Sequence, residues 1–478
     1  MSESQIVGAI RAAAARWPGG TALVSPREVV TYSMLEARAA AVARQLTTVN
    51  ENVVGLLYPN SPGFASGLLG AFWAGKTVAL LPFIAPPPIL KLMAAAAAVR
   101  IVMADEALAP RAAEAGLSPL IAAAPTESAP EPPLAHRSGD AAVLIYTSGT
   151  TGMPKAVALS EANLLANVEG CRLAGPFSAD DVMLAILPLF HAFGLTVTLL
   201  LPLTLGGKVV LEDRFVPRTS LQAVATHRVT AMIGVPGQFR LLAKEPLDVD
   251  GESLRLCISG AERLGNQIAA AFEQRFSRPL LQGYGATEAS PVVSFNRPGQ
   301  NRPGSAGLPL PNIRVSIATP EGEFAGEQSG EVSVEGPNVM LGYYGQAEAT
   351  AKKIPGGVLH TGDRGWLDAD GYLHLAGRAD DMIKIAGEKV YPSEVERVLE
   401  QLDGVEEAAV VGISGDGGTA LAAFVAPRPG AALDSGAIRG ACRERLEAAK
   451  TPKTITIVEQ LPRTPAGKID KKALIVKQ

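Results

Sequence analysis

A loop rich in glycine and hydroxyl side chains holds the residues best suited to bind a phosphate group. It lies between the apolar runs 141–145 and 156–159 and leads to Lys155. Backbone N–H groups and hydroxyls in such a loop can converge on phosphate oxygens, and a lysine adds a point charge. The pattern predicts strand, loop and strand, and an ordinary turn between strands is the alternative interpretation. The loop residues before the lysine are Thr147, Ser148, Gly149, Thr150, Thr151 and Gly152.

The spacing of this loop differs from that of the P-loop of nucleotide triphosphatases. The GxxxxGK[ST] pattern is missing, and the next helix signal begins near Ser160, after a further strand instead of directly after the loop. A P-loop NTPase is therefore disfavoured as the function.

The segments that must position this loop alternate between strand-like and helix-like patterns. Residues 52–58 and 77–81 are short β-rich apolar runs, and residues 61–74 between them have helical periodicity. The same order returns in residues 209–212 and 219–227. This alternation predicts an α/β fold, in which parallel strands are joined by crossover helices.

The pattern changes twice in the second half of the chain. From about residue 304 to residue 377, short alternating strands with Gly, Pro and Asp punctuation predict a small β-rich subdomain. A polar and charged break then follows, and Ser393 and Glu396 have the spacing of a helix capping box. We therefore predict a large N-terminal domain, residues 1–377, of parallel-rich sheets with packed helices, and a small α/β C-terminal domain, residues 378–478.

Composition and charge exclude several classes of protein. With 478 residues, 47% of them hydrophobic, the chain can bury a sizeable core. A net charge of −4 provides no positive field for a nucleic-acid partner. Cys171, Cys257 and Cys442 are too few and too far apart for a disulfide framework or a thiolate metal site, so we expect a reducing cytoplasm. The apolar stretches 78–99 and 192–206 contain prolines and are not expected to span a membrane.

The phosphate loop resembles that of the acyl-adenylating (AMP-forming) superfamily, which includes acyl-CoA and aryl-CoA synthetases, nonribosomal-peptide adenylation domains and firefly luciferase. Further segments match the blocks of that superfamily in its order. The resemblance implies a reaction in which a carboxylate and ATP give acyl-AMP and pyrophosphate, and a thiol then takes the acyl group. Such chemistry depends mainly on alignment and charge neutralisation. The matching segments are 188–194, 259–262, 284–288, 361–363, 377–380 and 465–468.

The resemblance also implies roles for residues around the nucleotide. Glu288 would be the magnesium ligand, since a hard carboxylate suits a metal that also binds phosphate oxygens. Thr287 would donate its hydroxyl to the α-phosphate, and Tyr284 would offer a flat face to adenine. Asp363 would accept hydrogen bonds from both ribose hydroxyls, with Arg378 reinforcing that contact. The other implied ATP- or AMP-binding positions are Gly260, Ala261, Glu262, Gly283, Gly285 and Ala286.

Three residues of the C-terminal part carry implied roles in catalysis and domain movement. Lys468 matches the superfamily lysine that contacts the acyl carboxylate and the α-phosphate during adenylation. Because Lys468 lies beyond the predicted boundary, the C-terminal domain must be mobile in order to deliver and remove it. Asp380 matches the hinge of that movement, and Gly387 would help to shape the thiol tunnel.

The candidate substrate pocket is apolar. Amino-acid adenylation domains usually carry an aspartate where this chain has His191, so an amino-acid substrate is disfavoured. His191 would orient the acyl carbonyl or the entering thiol, although a purely structural histidine fits as well. A cavity for an alkyl or aryl tail is the expectation, and ordinary core residues would show the same pattern. The pocket residues are Phe190, His191, Phe193, Ile233, Val235 and Ile258.

Together these features predict an ATP-dependent, Mg²⁺-requiring carboxylic acid:thiol ligase, an acyl- or aryl-CoA synthetase that uses CoA. The alternative acceptor is the phosphopantetheine thiol of an acyl carrier protein, which has the same reactive group. A non-catalytic AMP- or ATP-binding regulator belongs to a different class, and retention of the candidate catalytic groups argues against it. The expected partners are a small carboxylic acid and CoA or a carrier protein, without nucleic acid or a membrane span.

Overall fold

The computed structural model describes residues 4–122, 140–147, 154–249, 251–319, 322–323, 326–378, 381–385, 388–415, 418–463 and 469–475. The elements up to residue 285 are α1 (Gln5–Arg16), β1 (Thr21–Val24), β2 (Val29–Thr31), α2 (Tyr32–Thr47), β3 (Val53–Leu57), α3 (Pro62–Trp73), β4 (Thr77–Leu80), α4 (Pro87–Ala96), β5 (Ile101–Ala104), α5 (Ala109–Glu114), β6 (Ser118–Ile121), β7 (Val143–Thr147), β8 (Lys155–Leu159), α6 (Glu161–Ala174), β9 (Val182–Ala185), α7 (Leu201–Leu205), β10 (Lys208–Leu211), α8 (Pro217–His227), β11 (Ala231–Gly234), α9 (Pro236–Lys244), β12 (Leu256–Ser259), α10 (Asn266–Phe276) and β13 (Leu280–Gly285).

The elements after residue 285 are mostly strands. They are β14 (Val292–Phe295), β15 (Leu308–Pro309), β16 (Arg314–Thr319), β17 (Gly322–Glu323), β18 (Gly326–Glu335), β19 (Gly342–Tyr343), α11 (Ala347–Lys353), β20 (Leu359–Leu367), β21 (Leu373–Arg378), β22 (Ile383–Ile385), β23 (Glu388–Val390), α12 (Pro392–Glu400), β24 (Val405–Gly415), β25 (Gly418–Pro427), α13 (Ser435–Arg445), β26 (Thr454–Ile457) and α14 (Lys471–Ile475).

Two large sheets form the N-terminal part, and both are mainly parallel. One has the order β15-β14-β13-β12-β11-β9-β10-β1-β2 and the other the order β19-β8-β7-β4-β3-β5-β6. Alternate residues of a strand pack into different apolar clusters: Val54 and Leu56 of β3 face the largest cluster, whereas Val53 and Leu57 face a second one. The strands are therefore covered on both faces, as expected for parallel sheets. The predicted α/β fold class is confirmed.

The predicted elements lie close to their observed positions. Strands β3 and β4 pair in parallel, and α3 between them is capped by Ser61, whose Oγ accepts a hydrogen bond from the N–H of Phe64 at 3.3 Å. Strands β7 and β8 are an antiparallel pair in which Thr147 lies opposite Lys155, so the two predicted strands are confirmed, and the predicted loop between them lies outside the described residues.

The β-rich region is a five-stranded sheet of order β17-β16-β18-β20-β21. The residues after it have apolar clusters of their own, one of which is built around Val395, Leu399, Val410 and Leu421. This separate core agrees with a small C-terminal α/β unit, and the boundary at residue 378 stays a prediction. In the part of the chain that the structure describes, no helix combines the length and the apolar character needed to cross a bilayer.

The predicted capping box at the start of α12 is wrong. Pro392 begins the helix, so the cap position falls to Tyr391, which makes no side-chain capping bond, and not to Ser393. The Ser393 hydroxyl instead donates to the carbonyl of Ala376, and Glu396 Oε1 accepts a hydrogen bond from the N–H of Val410 at 2.8 Å. Both side chains therefore join α12 to neighbouring strands, which the spacing alone could not reveal.

Candidate active site

The candidate nucleotide residues lie at one edge of the nine-stranded sheet. Strands β11, β12 and β13 are mutually parallel, so their carboxyl ends meet at this edge. Gly260, Ala261 and Glu262 follow β12, whereas Gly283 and Tyr284 are among the last three residues of β13. Ligands of open α/β sheets typically bind outside the carboxyl ends of the strands. The fold therefore brings two of the predicted motifs together at a typical binding edge.

Glycines at this edge are required by close packing of the protein itself. A Cβ atom at Gly260 would lie 2.8 Å from the ring of Phe193, and one at Gly285 would lie 2.2 Å from the carbonyl oxygen of Pro291. Ala261 has a φ angle of 68°, in the left-handed region that residues with a side chain rarely adopt. The backbone after β12 thus makes a strained turn, and Glu262 emerges from it.

Tyr284 and Asp363 are joined by a direct hydrogen bond. The Tyr284 hydroxyl donates to Asp363 Oδ2 at 2.6 Å, and Arg378 Nη1 lies 3.5 Å from Asp363 Oδ1. Burial raises the pKa of Asp363, against the opposing effects of Tyr284 and Arg378. Burial and the neighbouring Asp363 also raise the pKa of Tyr284 well above its ordinary value, so Tyr284 remains a donor. This bond is made by the hydroxyl at the end of the side chain, so it fixes where the ring lies relative to Asp363.

A second tyrosine, Tyr343, joins the candidate metal ligand to the phosphate loop. Its hydroxyl donates to Glu288 Oε1 at 2.8 Å, and its ring centroid lies 4.9 Å from Lys155 Nζ. Burial, followed by the charge of Glu288, raises the pKa of Tyr343 far above its usual value. Sequence analysis missed this residue; the one available signal was an aromatic residue directly after Gly342, with no spacing relation to Glu288.

The residues around Glu288 fit a magnesium ion bound together with a nucleotide. Within the described ranges, no group of three or more His, Cys, Asp and Glu side chains is arranged to hold a metal. Magnesium commonly takes only one or two protein carboxylates, together with phosphate oxygens and water. A single oriented carboxylate beside a phosphate-loop lysine suits that mode of binding.

Several predicted site residues lie outside the described residues. They include the phosphate-loop residues Ser148, Gly149, Thr150, Thr151 and Gly152, the hinge Asp380, the tunnel residue Gly387 and the catalytic Lys468. The segments next to two of these regions are described. Thr147 and Lys155 face each other across the β7–β8 pair, and the N–H of Ile469 donates to Glu262 Oε1 at 3.1 Å. The chain next to Lys468 therefore reaches the edge formed by β12.

His191 belongs to a turn that Asn60 holds in place. Asn60 Nδ2 donates to the carbonyl of Leu187 at 2.8 Å, and Asn60 Oδ1 accepts a hydrogen bond from the N–H of Leu189 at 2.9 Å. The rings of Phe190 and His191 are 4.6 Å apart, and a π-helix, Gly194–Leu200, begins shortly afterwards. Such helices are rare and frequently occur at functional sites.

A cavity of about 990 Å³ adjoins this turn. Of the predicted pocket residues, Phe190 and Val235 line it, whereas His191, Phe193, Ile233 and Ile258 do not. Its opposite wall comes from the C-terminal part of the chain. That wall includes Glu406, Glu407, Arg428, Glu459 and Arg463.

Comparisons with known proteins point to one enzyme family. Residues 10–344 match the family described as AMP-binding enzyme, and residues 394–468 match the AMP-binding enzyme C-terminal domain. Feruloyl-CoA synthase of an Amycolatopsis species is 36% identical over 94% of this chain and 93% of its own length. Sulfoacetate–CoA ligase of Cupriavidus necator is 34% identical over 97% of this chain and 96% of its own length.

Solved structures agree with these relatives. ATP-bound MatB from Rhodopseudomonas palustris has a TM-score of 0.89 at 27% identity, covering 100% of this chain and 99% of that one. A benzoate CoA ligase from Burkholderia xenovorans LB400 has a TM-score of 0.90 at 27% identity, covering 99% of this chain and 100% of that one. The likeness therefore extends over both the large N-terminal part and the small C-terminal part.

Proposed function

The chain belongs to the AMP-binding enzyme family and is an AMP-forming acid–thiol ligase, and we propose that it converts an apolar aryl or alkyl carboxylic acid to its CoA thioester. The observation that carries the proposal is the convergence of Tyr284, Asp363 and Glu288 near the carboxyl edge of the nine-stranded sheet. That edge offers an aromatic face, a carboxylate for hydroxyl groups and a carboxylate for a metal.

In the first step, a carboxylate oxygen of the acid attacks the α-phosphorus of ATP, and pyrophosphate leaves. Tyr284, oriented by its bond to Asp363, would lie against adenine, and Asp363 would accept hydrogen bonds from the ribose hydroxyls. Thr287 would donate to an α-phosphate oxygen. Glu288 would hold a magnesium ion, which would supply neutralisation of the phosphate charge. Lys468 would stabilise the charge that develops on the α-phosphate.

In the second step, the thiol sulfur attacks the acyl carbonyl carbon and AMP leaves with the electron pair of the broken C–O bond. His191, held by the turn that Asn60 fixes, would orient the carbonyl or the thiol. CoA is the acceptor we propose, since relatives over nearly the whole chain are named as CoA enzymes. A holo-carrier protein is the alternative acceptor.

We propose an apolar acid as the substrate class from the residues around His191 and from the names of the relatives. His191 stands where amino-acid adenylation domains usually have an aspartate, and the nearby rings of Phe83 and Phe190 pack edge to face at 6.0 Å. Relatives named for ferulate and for benzoate fit an aromatic acid. The relative named for sulfoacetate, at nearly the same identity, shows that overall similarity does not decide the acid.

Acid-dependent exchange of pyrophosphate into ATP tests the proposal. Benzoates, cinnamates and alkyl acids of short, medium and long chain are offered one at a time, and we expect exchange with at least one apolar acid. When an acceptor thiol is added, AMP should be the nucleotide product. CoA and a holo-carrier protein are then compared as acceptors. Absence of exchange with every acid would favour a nucleotide-binding regulator, and ADP formation without acid would favour an NTPase.

We also propose that the enzyme resides in the cytoplasm. Cys171, Cys257 and Cys442 are all free and buried, and burial raises the pKa values of Cys171 and Cys257 to about 12. Buried thiols of this kind are unreactive, and unpaired cysteines fit a reducing compartment.

A further inference from the structure

A cluster of charged side chains connects the N-terminal part of the chain with the C-terminal part. Arg240 Nη1 lies 3.1 Å from Glu406 Oε1 and 3.6 Å from Glu407 Oε2, and Lys244 Nζ lies 2.5 Å from Glu406 Oε1. Arg463 Nη2 lies 2.5 Å from Glu407 Oε1. We call these five residues the interdomain ion cluster.

The two cations of the N-terminal part are held by a rigid element. Arg240 and Lys244 are one helical turn apart on α9, so they share one face of the helix. Helix α9 begins at Pro236, two residues after β11 ends at Gly234, and it is therefore anchored to the edge of the sheet that carries the candidate site.

The acceptor carboxylates are too buried to be ordinary surface charges. The side chains of Glu406 and Glu407 are 14% and 13% exposed, whereas exposed ion pairs contribute little. Burial by itself would raise the pKa of Glu406, but hydrogen bonds from Lys244 and Arg240 lower it overall. A desolvated carboxylate is unfavourable without a cation beside it. Removal of Arg240 and Lys244 should therefore disfavour the observed arrangement of the N-terminal and C-terminal parts.

The cluster also fixes the chain on one side of Lys468. Arg463 binds Glu407 and forms a β-bridge with Ile469, whose N–H donates to Glu262 in the candidate nucleotide site. Both ends of the segment that contains Lys468 are therefore tied to the edge of the sheet, one through the ion cluster and the other through Glu262.

We propose that Arg240 and Lys244 are positioning residues for the adenylation step: by binding Glu406 and Glu407, they hold the C-terminal part in the arrangement that this step requires. Because it assumes that Lys468 acts only in adenylation, this inference rests on the proposed function. Arg240 and Lys244 also line the cavity beside the His191 turn. A positioning role acts through Glu406 and Glu407, so removal of the two cations should slow pyrophosphate exchange without slowing transfer of the acyl group from supplied acyl-AMP.

The two half-reactions are measured for Arg240→Gln, Lys244→Gln and the double variant. We expect acid-dependent exchange to fall about tenfold in the double variant, as loss of partly buried charge-assisted hydrogen bonds would give. Thioester formation from supplied acyl-AMP should stay within about twofold of the parent, a margin that corresponds to a negligible barrier change. Arg172→Gln is the matched control, since Arg172 pairs only locally with Glu169 on the surface of α6, and it should change neither rate.

A mutant cycle distinguishes the ion cluster from a general loss of structure. If Arg240 acts through Glu406, Arg240→Gln combined with Glu406→Gln should lose less exchange activity than the product of the two single losses predicts. Equal loss in both half-reactions, or unchanged exchange in the double variant, would overturn the proposal. If the parent protein exchanges no pyrophosphate with any acid, the proposed function fails first.

A cross-linking measurement tests the arrangement without turnover. Arg428 Nε donates to Gln267 Oε1 at 3.0 Å, away from the ion cluster but across the same interface. Cysteines introduced by Gln267→Cys and Arg428→Cys can be joined by a short bis-maleimide, and the three native cysteines are buried. Adding Arg240→Gln and Lys244→Gln should lower the cross-linking yield at least threefold, roughly the effect of 0.7 kcal/mol. An unchanged yield would contradict the proposal even if the protein were inactive.

Discussion

The two sides of the candidate site are held by different forces. On the N-terminal side, the site lies at the ends of strands that are covered on both faces, and its glycines fit against Phe193 and the backbone of Pro291. On the C-terminal side, the interface described above depends largely on ion pairs and hydrogen bonds between long side chains, such as Arg240–Glu406 and Arg428–Gln267. Packing of the first kind depends on shape and apolar contact, whereas the second kind depends on pairing of charged and polar groups. This difference fits the proposed function, in which the nucleotide site would stay fixed and the delivery of Lys468 would be reversible.

The largest expected effect comes from the residue that the C-terminal side delivers. Lys468→Ala should lower acid-dependent pyrophosphate exchange by about 10²- to 10³-fold, the range seen when one stabilising donor is removed from a transition state. Thioester formation from supplied acyl-AMP should be retained, since the lysine would act in one half-reaction only. Equal loss of pyrophosphate exchange and of thioester formation would contradict a role of Lys468 in adenylation alone.

The second-largest effect is expected on the N-terminal side of the candidate site. Asp363→Asn keeps the shape of the side chain but removes the charge that faces Tyr284 and Arg378. We expect the KM for ATP to rise about tenfold, because a charge-assisted hydrogen bond to each ribose hydroxyl would be weakened. Unlike the Lys468 variant, this one should bind ATP more weakly in calorimetry. If Asp363→Asn left the affinity for ATP unchanged, Asp363 would not bind the ribose.

A smaller effect is expected at Tyr343, which joins Lys155 to Glu288. Tyr343→Phe keeps the ring near Lys155 but removes the hydroxyl that donates to Glu288 Oε1. The free energy of one such bond, about 1 kcal/mol, should raise the Mg²⁺ concentration for half-maximal exchange about fivefold. Binding of Mn²⁺ with ATP, followed by electron paramagnetic resonance, should weaken to the same extent.

The neighbouring residue provides the control for that test. Tyr344 is 36% exposed, and Tyr344→Phe makes the same chemical change one position further along the chain. It should leave the metal dependence unchanged. If both variants behaved alike, the bond between Tyr343 and Glu288 would not orient the metal ligand.

Sequence reasoning predicted the fixed side of the molecule better than the interface. The order of β3, α3 and β4 was predicted from the apolar pattern, and the structure pairs β3 with β4 in parallel around α3, a helix that is buried on nearly all sides. Tyr343 and the ion cluster were missed for a physical reason. Their partners, Glu288 and Glu406, are 55 and 166 positions away from Tyr343 and Arg240, and only the tertiary fold determines which charged residues meet.

Ser393 and Glu396 illustrate the opposite error, in which a local pattern was outweighed by tertiary contacts. Their spacing fits a capping box, yet Pro392 already begins the helix without needing an N–H donor. The two polar side chains bind the backbone of Ala376 and Val410 instead. Local spacing fixes which bonds are possible, and packing of α12 against β21 and β24 decides which of them form.

The smallest expected effect depends on pH and involves Glu400, at the C-terminal end of α12. Burial raises the pKa of Glu400 to about 7, despite the attraction of Arg263, and Glu396 and Glu407 raise it further. Two groups favour the ionised form of Glu400 without overcoming burial. One is the backbone N–H of Ala408, and the other is Arg263, whose Nη1 lies 3.7 Å from Glu400 Oε2. The ionised form is therefore less favourable in the folded protein than in the unfolded chain, where a glutamate has a pKa near 4.3.

The sign of the pH effect follows from this difference. Between about pH 4.5 and pH 7 the folded protein retains a proton that the unfolded chain has lost, so Glu400 makes the protein less stable as the pH rises through that range. Glu400→Gln removes the ionisable group and keeps the backbone carbonyl that accepts from Gln267. We expect its Tm to match the parent near pH 5 and to exceed it by about 2 °C at pH 8, a small gain for a chain of this length. A Tm at pH 8 that is lower for Glu400→Gln than for the parent would mean that pairing with Arg263 outweighs the cost of burial. The ion pair of Glu400 would then stabilise the interface, as the interdomain ion cluster does.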